Sequence, residues 1–98
     1  MSIERFLNPT SDGKDFAFLG YRMGLTPTEH RILQYLVQME GSAVRVRELC
    51  AHCYRDAEVN RANVSVRINS INQKARRIGG RKLLRFARGR GYLFCDDL

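Results

Sequence analysis

Residues 61–78 carry one apolar stripe at helical spacing, and this pattern restricts the fold more than any other feature of the chain. The stripe consists of Val64, Ile68, Ile71, Ala75 and Ile78. At 100° per residue these positions fall within about 40° of one line, and the opposite face is mostly polar. A helix of this kind packs one side on a core and leaves the other in water. The sequence therefore predicts a surface helix over residues 61–78.

Two more helices are predicted upstream. Thr26 is a favourable N-cap, Pro27 suits the first helical position, and Glu29 completes a capping box. Apolar residues then recur at helical spacing up to Gly41, which we expect to end this helix. Residues 46–54 predict a second, shorter helix.

Short strands are predicted on both sides of the helices. Residues 2–25 contain three short extended runs separated by turn residues, which favours a small antiparallel sheet. Gly79-Gly80 stops the third helix, and residues 82–87 and 91–94 predict a hairpin.

These elements together predict one α+β domain over residues 1–98. It consists of an N-terminal antiparallel sheet (1–25), a three-helix core (26–80) and a C-terminal β-hairpin (81–95). This order is that of a winged helix-turn-helix, in which the hairpin is the wing.

The positive charge is concentrated in the last third of the chain. Residues 61–95 hold ten Lys and Arg and no Asp or Glu, whereas residues 1–60 hold seven cations and eight acids. Unpaired like charges repel one another in a folded domain, so this distribution favours a polyanionic partner, and nucleic acid is the common one. A solvated helix face is the alternative, but the charge covers two successive elements.

The third predicted helix and the hairpin offer suitable chemistry for DNA. Asn69, Ser70, Gln73 and Arg77 are predicted on the face opposite the stripe, where they would donate to and accept from base edges in the major groove. The hairpin would reach the minor groove, where Arg is favoured by the negative potential.

Three segments resemble the OmpR/PhoB-type effector domain. They are Thr26-Pro27-Thr28-Glu29, then Val64-Ser65-Val66-Arg67-Ile68 with the residues up to Ala75, and finally Arg88-Gly89-Arg90-Gly91-Tyr92-Leu93-Phe94. The resemblance covers about residues 3–95. It implies a bacterial-type transcriptional regulator that binds double-stranded DNA, with residues 61–78 in the major groove and residues 82–94 at the minor groove.

The resemblance also implies individual roles. Asn63, Arg67, Asn69 and Ser70 occupy the helix contact positions, and Arg88 is the wing arginine. Residues 55–60 match the segment that faces RNA polymerase in activators of this family. Tandem or homodimeric binding to half-sites about one helical turn apart is a further implication.

The chain departs from the family pattern in two ways. Asn69, Ser70 and Asn72 stand where basic residues are common, so phosphate affinity is expected to shift towards other arginines. Typical members also carry a receiver domain before this module, whereas Met1 here precedes the first strand by only a few residues. This implies either an excised effector domain or a stand-alone regulator, and the second is slightly favoured. The predicted DNA-binding residues are Arg61, Asn63, Val66, Arg67, Asn69, Ser70, Gln73, Lys74, Arg77, Arg85, Arg88 and Arg90.

Other classes of function are less consistent with the sequence. A winged helix module that recruits proteins instead of DNA would usually lose the basic wing, and an RNA-binding domain would show aromatic stacking platforms. An enzyme is not expected, since the sequence shows no catalytic set and no phosphate-cradling glycine loop. The lack of an export signal and the odd number of cysteines predict a cytosolic compartment without a membrane partner.

The segment Cys50-Ala51-His52-Cys53 contains residue types that bind metals or undergo redox reactions. Zinc prefers four ligands, and only Cys95 and His30 would be left to complete the set. Small buried cysteines explain the pair on the inner face of the second helix. We therefore predict no metal and no cofactor.

Overall fold

The computed structural model describes residues 6–53 and 61–95, with the backbone alone for residues 61 and 62. In chain order the elements are β1 (Leu7–Pro9), β2 (Phe16–Phe18), β3 (Tyr21–Arg22), α1 (Pro27–Gln38), α2 (Val46–Cys53), α3 (Arg61–Gly79), β4 (Leu84–Ala87) and β5 (Gly91–Phe94). The strands form an antiparallel β1–β2–β3 sheet and an antiparallel β4–β5 hairpin. The predicted α+β winged helix fold is confirmed. No helix in these described segments is long and apolar enough to cross a membrane.

Several element boundaries differ from the prediction for local reasons. Helix α1 ends at Gln38, before Gly41, because Glu40 already has a left-handed backbone with φ of 53°. Helix α3 includes Gly79, and Gly80, with φ of 73°, ends it while its N–H donates to the carbonyl of Arg76 at 2.9 Å. Strand β4 begins at Leu84 and not at Lys82.

The core forms where the three helices meet. Val64, Ile68, Ile71 and Ala75 of the predicted stripe are buried, and Ile78 is partly buried at its end. They pack with apolar residues of α1 and α2, including Ile32, Leu33, Leu36 and Leu49. Burying this apolar surface stabilises the fold by about 25 cal/mol per Å². It also fixes which face of α3 points outward.

The N-terminal sheet supports the far end of α3. A Cβ atom at Gly79 would lie 2.6 Å from the Phe18 ring, so this glycine allows the helix to approach β2 closely. Asp15 connects β2 to the segment after β3. Its buried carboxylate accepts hydrogen bonds from the N–H groups of Phe16, Gly24 and Leu25. Burial raises the pKa of Asp15, but these three hydrogen bonds outweigh it and lower the pKa below its usual value.

Glu29 joins the start of α1 to α3. The predicted capping box is confirmed, because Glu29 Oε1 accepts from the Thr26 N–H at 3.0 Å while Thr26 Oγ1 accepts from the Glu29 N–H at 3.2 Å. The Glu29 carboxylate is buried, and Lys74 Nζ lies 2.5 Å from its Oε1. Burial raises the pKa of Glu29, but hydrogen bonds from Lys74, Ser70 and Thr26 together lower it below its usual value.

The lowered pKa predicts acid sensitivity at this joint. A carboxylate whose folded pKa lies below its unfolded value of about 4.3 adds stability above that pH, and this stability is lost as the pH falls through the folded pKa. Glu29→Gln should therefore lower the free energy of unfolding at pH 7 by about 1–3 kcal/mol. Urea denaturation from pH 7 down to about pH 3 should show the difference from wild type shrinking below about pH 4.

The matched control is Glu40→Gln, which neutralises an exposed carboxylate just beyond α1. Its unfolding free energy should follow that of the wild type within about 0.5 kcal/mol. A Glu29→Gln penalty that stays constant across this pH range would contradict the role given to the charged carboxylate.

Candidate nucleic-acid interface

The outward face of α3 presents polar side chains around one exposed valine. Val66 is 60% exposed, and Asn69 and Gln73 are exposed on the next two turns. We call these three residues the outward row. Among the described residues, neither the Asn69 amide nor the Gln73 amide has a hydrogen-bond partner. Arg77, predicted on this face, is exposed one turn beyond Gln73, and Arg67 is exposed beside the row.

Two predicted contact residues face α1 and not the outside. Lys74 Nζ binds Glu29 Oε1 and, at 3.0 Å, the carbonyl oxygen of Gly24. Ser70 is half-buried, and its side chain also hydrogen-bonds to the Glu29 carboxylate. The helical phase turns both residues towards α1, where a buried carboxylate needs donors. The predicted outward orientation of Ser70 is therefore wrong, and neither residue belongs to the candidate contact set.

Asn72 holds the hairpin against α3. Its side chain is only 7% exposed. Oδ1 accepts from the N–H groups of Leu83 and Leu84 at 3.1 and 2.9 Å, and Nδ2 donates to the carbonyl oxygen of Leu84 at 2.9 Å. These bonds take up the backbone groups just before and at the start of β4, which explains why the strand begins later than predicted. Sequence reasoning noted Asn72 only as a missing cation.

The hairpin carries three exposed arginines. In its turn, Arg90 N–H donates to the carbonyl oxygen of Ala87 at 2.9 Å, and Gly89 has φ of 78°. Arg85, Arg88 and Arg90 are all exposed, so the side chains predicted for the wing are available to a ligand.

Strand β5 is fixed, close to the hairpin turn, to the segment before α2. Val44 N–H donates to the Tyr92 carbonyl at 2.7 Å, and Tyr92 N–H donates to the Val44 carbonyl at 2.9 Å. A Cβ atom at Gly91 would lie 2.1 Å from the Val44 oxygen, and its φ is 120°. Glycine is therefore required at this position of the Arg-Gly-x-Gly-Tyr motif.

A cationic pocket lies between the hairpin and the start of α2. Arg45, Arg47 and Arg90 line an open cavity of about 300 Å³ together with Phe86. All three arginines are exposed, and no ion pair is found for them in the described part of the chain. Phe86 is 55% exposed and makes an edge-to-face contact with Tyr92, their centroids 5.1 Å apart. We call this the arginine pocket.

Sequence reasoning missed Arg45 and Arg47. They belong to the first 60 residues, whose charges nearly cancel, so they did not stand out in a count along the chain. The fold brings them next to the basic hairpin. Their position immediately before and within the first turn of the short second helix was the available signal, since helix N-termini attract anions.

The other predicted site residues have a more limited description. Asn63 is exposed at the start of α3 and has a partner within the structure. Arg61 begins α3, and its side chain lies outside the described atoms, as does the whole of loop 55–60. These predictions stay predictions.

The cysteines of α2 lie where an apolar role was expected. Cys53 is buried, Cys50 is half-buried, and both are free thiols. Burial raises the pKa of Cys53 to about 11, so its thiol is protonated at neutral pH and unreactive. Within residues 6–53 and 61–95, no group of three or more His, Cys, Asp or Glu could hold a metal ion.

Comparison with known proteins identifies related domains. Residues 20–94 match the family model described as "Transcriptional regulatory protein, C terminal". The two-component response regulator PhoP of Pseudomonas aeruginosa is 36% identical over 75 residues. The match covers 76% of this chain but 33% of PhoP, so the chain spans about a third of the length of this curated relative.

Solved structures share the fold over nearly the whole chain. The DNA-binding domain of AdeR, in complex with an intercistronic region, superposes with a TM-score of 0.82 at 20% identity, covering 94% of this chain and 96% of that one. The CpxR DNA-binding domain from E. coli gives 0.71 at 27% identity, with 91% and 89% covered. The Klebsiella pneumoniae RstA domain, in complex with the RstA box, gives 0.72 at 18%, with 92% and 91% covered.

The position of the hairpin should depend on Asn72. Asn72→Ala leaves three buried backbone groups without their partner, so the free energy of unfolding should fall by about 2–4 kcal/mol. Hydrogen exchange of the Leu83 and Leu84 amides should accelerate in the variant, measured by NMR below the unfolding transition. Asn69→Ala, three residues away on the exposed face, is the control and should cost less than about 0.5 kcal/mol. Equal stability of the two variants would contradict the role of Asn72.

Proposed function

We propose a function for this chain from its family: it belongs to the transcriptional regulatory protein C-terminal domains, which are the OmpR/PhoB-type DNA-binding domains. The proposal is that it regulates transcription by binding specific sequences of double-stranded DNA. In this proposal α3 enters the major groove and the β4–β5 hairpin lies at the adjacent minor groove. One observation supports this proposal most directly. Asn72 holds two elements together: α3, which carries the outward row with its unpartnered amides, and the hairpin, which carries the exposed arginines.

The dimensions of α3 suit the major groove. A helix with its side chains is about 10–12 Å across, and the major groove of B-DNA is about 12 Å wide. The outward row lies between two flanks of α3 that have internal partners, Glu29 on one side and β4 on the other. Base edges would therefore meet Val66, Asn69 and Gln73.

The surrounding cations would hold the sugar-phosphate backbone. Arg77, Arg85 and Arg88 are exposed at the end of α3 and on the hairpin. The arginine pocket adds Arg45 and Arg47 beside Arg90. Phosphate contacts at these positions would offset the absence of a cation from the outward row. Arg88, at the hairpin turn, is the side chain we assign to the minor groove.

The whole protein's behaviour is a wider proposal. We propose that residues 1–98 act as a single winged helix unit, that copies bind in tandem or as a homodimer on DNA, and that loop 55–60 contacts RNA polymerase. The support for these points is family membership and, for DNA, that the related AdeR and RstA domains were solved in complex with an intercistronic region and with the RstA box. The family is one of transcription regulator domains and not of enzymes.

Binding should depend strongly on salt. With roughly five to seven phosphate contacts, the logarithm of the association constant for a duplex should fall with the logarithm of salt concentration with a slope of about −4 to −6. Fluorescence anisotropy with a labelled duplex at several salt concentrations measures this slope. A slope near zero would exclude nucleic acid as the ligand of this domain.

Single arginine substitutions should separate the hairpin turn from the arginine pocket. Arg45→Ala should weaken binding to all duplexes alike and make the salt slope shallower by about one, because it removes a phosphate contact. Arg88→Ala should also relax the sequence preference where the hairpin meets the minor groove. Both effects are read from titrations of a selected and a scrambled duplex.

Lys14→Ala is the matched control, since it removes one exposed cation from the turn before β2. Its salt slope should equal that of the wild type. Unchanged binding in Arg88→Ala would mean that the hairpin does not contact DNA, and a Lys14→Ala effect as large as that of Arg45→Ala would mean that only net charge matters.

A further inference from the structure

The outward row contains one branched aliphatic side chain and two primary amides, and no cation. Val66, Asn69 and Gln73 follow one another at spacings of three and four residues. At 1.5 Å per residue, Asn69 and Gln73 are about 6 Å apart along the axis of α3, which is roughly two base-pair steps of 3.4 Å. The row is therefore long enough to span two to four neighbouring base pairs.

A primary amide has one acceptor oxygen and an NH₂ donor side by side. In the major groove adenine offers the complementary pair, the N7 acceptor and the N6 amino donor, so an amide can bind it through two hydrogen bonds. Guanine offers two acceptors, N7 and O6, which match the paired donors of arginine and not an amide. Asn69 and Gln73 have unoccupied amides in the described structure and are thus suited to adenine.

The exposed valine is suited to thymine, the partner of adenine in an A·T pair. Val66 is 60% exposed, and contact between this apolar surface and water is unfavourable. Thymine is the base that presents a methyl group in the major groove, and aliphatic side chains contact it. Covering Val66 with a thymine methyl would bury apolar surface on both partners.

The arginines of α3 lie outside the three positions of the row. Arg67 is exposed, but at 100° per residue it lies about 60° from the line of the apolar stripe, nearer to the buried side of α3 than the outward row is. Arg76 and Arg77 lie in the last turn of the helix. Arg77 follows Gln73 by one further turn towards the C-terminus, so we place Arg76 and Arg77 at the sugar-phosphate backbone, beyond the base-reading groups.

We infer that α3 selects adenine–thymine pairs, with Asn69 and Gln73 each reading one adenine about two base pairs apart and Val66 contacting a thymine methyl. The inference rests on the proposed function and adds the chemical class of the bases that the domain reads.

The test is selection from a random duplex library by the full chain and three variants, at one salt concentration. The wild type should enrich a core with A·T pairs at two positions about two apart. Asn69→Ala and Gln73→Ala should each lose preference at a different one of these positions, by about 5- to 100-fold in relative affinity. Gln73→Ala identifies the position at which base preference depends on Gln73. At that position, Gln73→Arg should select a pair with guanine instead of A·T.

Gln34→Ala is the matched control, an exposed glutamine of α1 on another face of the domain. It should select the wild-type core. Thermal unfolding of each variant, with a cooperative transition like that of the wild type, shows that a changed selection is not a changed fold. Gln73→Lys, a point-charge donor at the same exposed position, repeats the guanine test if the arginine variant unfolds.

The outcomes separate this inference from the function beneath it. A G·C-rich core selected by the wild type, or the same core selected by wild type, Asn69→Ala and Gln73→Ala, would overturn the adenine reading while leaving DNA binding intact. Enrichment of no duplex, together with salt-independent binding, would instead overturn the proposed function itself.

Discussion

The spatial relation between α3 and the hairpin depends on the buried side chain of Asn72. Three hydrogen bonds connect it to the backbone of Leu83 and Leu84, so the first residues of the hairpin are fixed directly to the helix. A charged side chain buried at this position would carry a large desolvation cost, and an apolar one would leave two N–H groups and one carbonyl unpaired. An amide, which both donates and accepts, satisfies all three. The two elements that we propose to meet adjacent grooves thus move as one body.

The opposite flank of α3 is fixed by charge. Glu29 is buried at the start of α1 and receives Lys74, Ser70 and the Thr26 N–H. Ser70 and Lys74 are engaged on this flank and Asn72 on the other, whereas the outward row, Arg67 and the arginines of the last turn stay exposed for a ligand. In the proposed complex, the helix contributes uncharged base-reading groups from the outward row. The hairpin arginines and the arginine pocket supply the cations that a phosphate backbone requires.

Local patterns in the sequence were sufficient for the elements but not for the contacts between them. The capping box at Thr26 and Glu29 and the stripe of α3 depend on residues within one or two turns, and both predictions are confirmed. The orientations of Ser70 and Lys74 depend on the carboxylate of Glu29, which is more than 40 residues away in the chain, and helical periodicity does not reveal such a partner. Arg45 and Arg47 come next to the basic hairpin through the pairing of Val44 with Tyr92, which is distant in sequence.

The central claim is that one continuous surface, made by the outward row, the hairpin turn and the arginine pocket, receives duplex DNA. Titration of the ¹⁵N-labelled chain with a selected duplex, followed by NMR, tests it most directly. The largest backbone amide shifts should fall on residues 63–77 and 85–91 and around Arg45 and Arg47, with small shifts at β1–β3 and along α1. Shifts concentrated on the N-terminal sheet or α1, with α3 and the hairpin unaffected, would contradict the account.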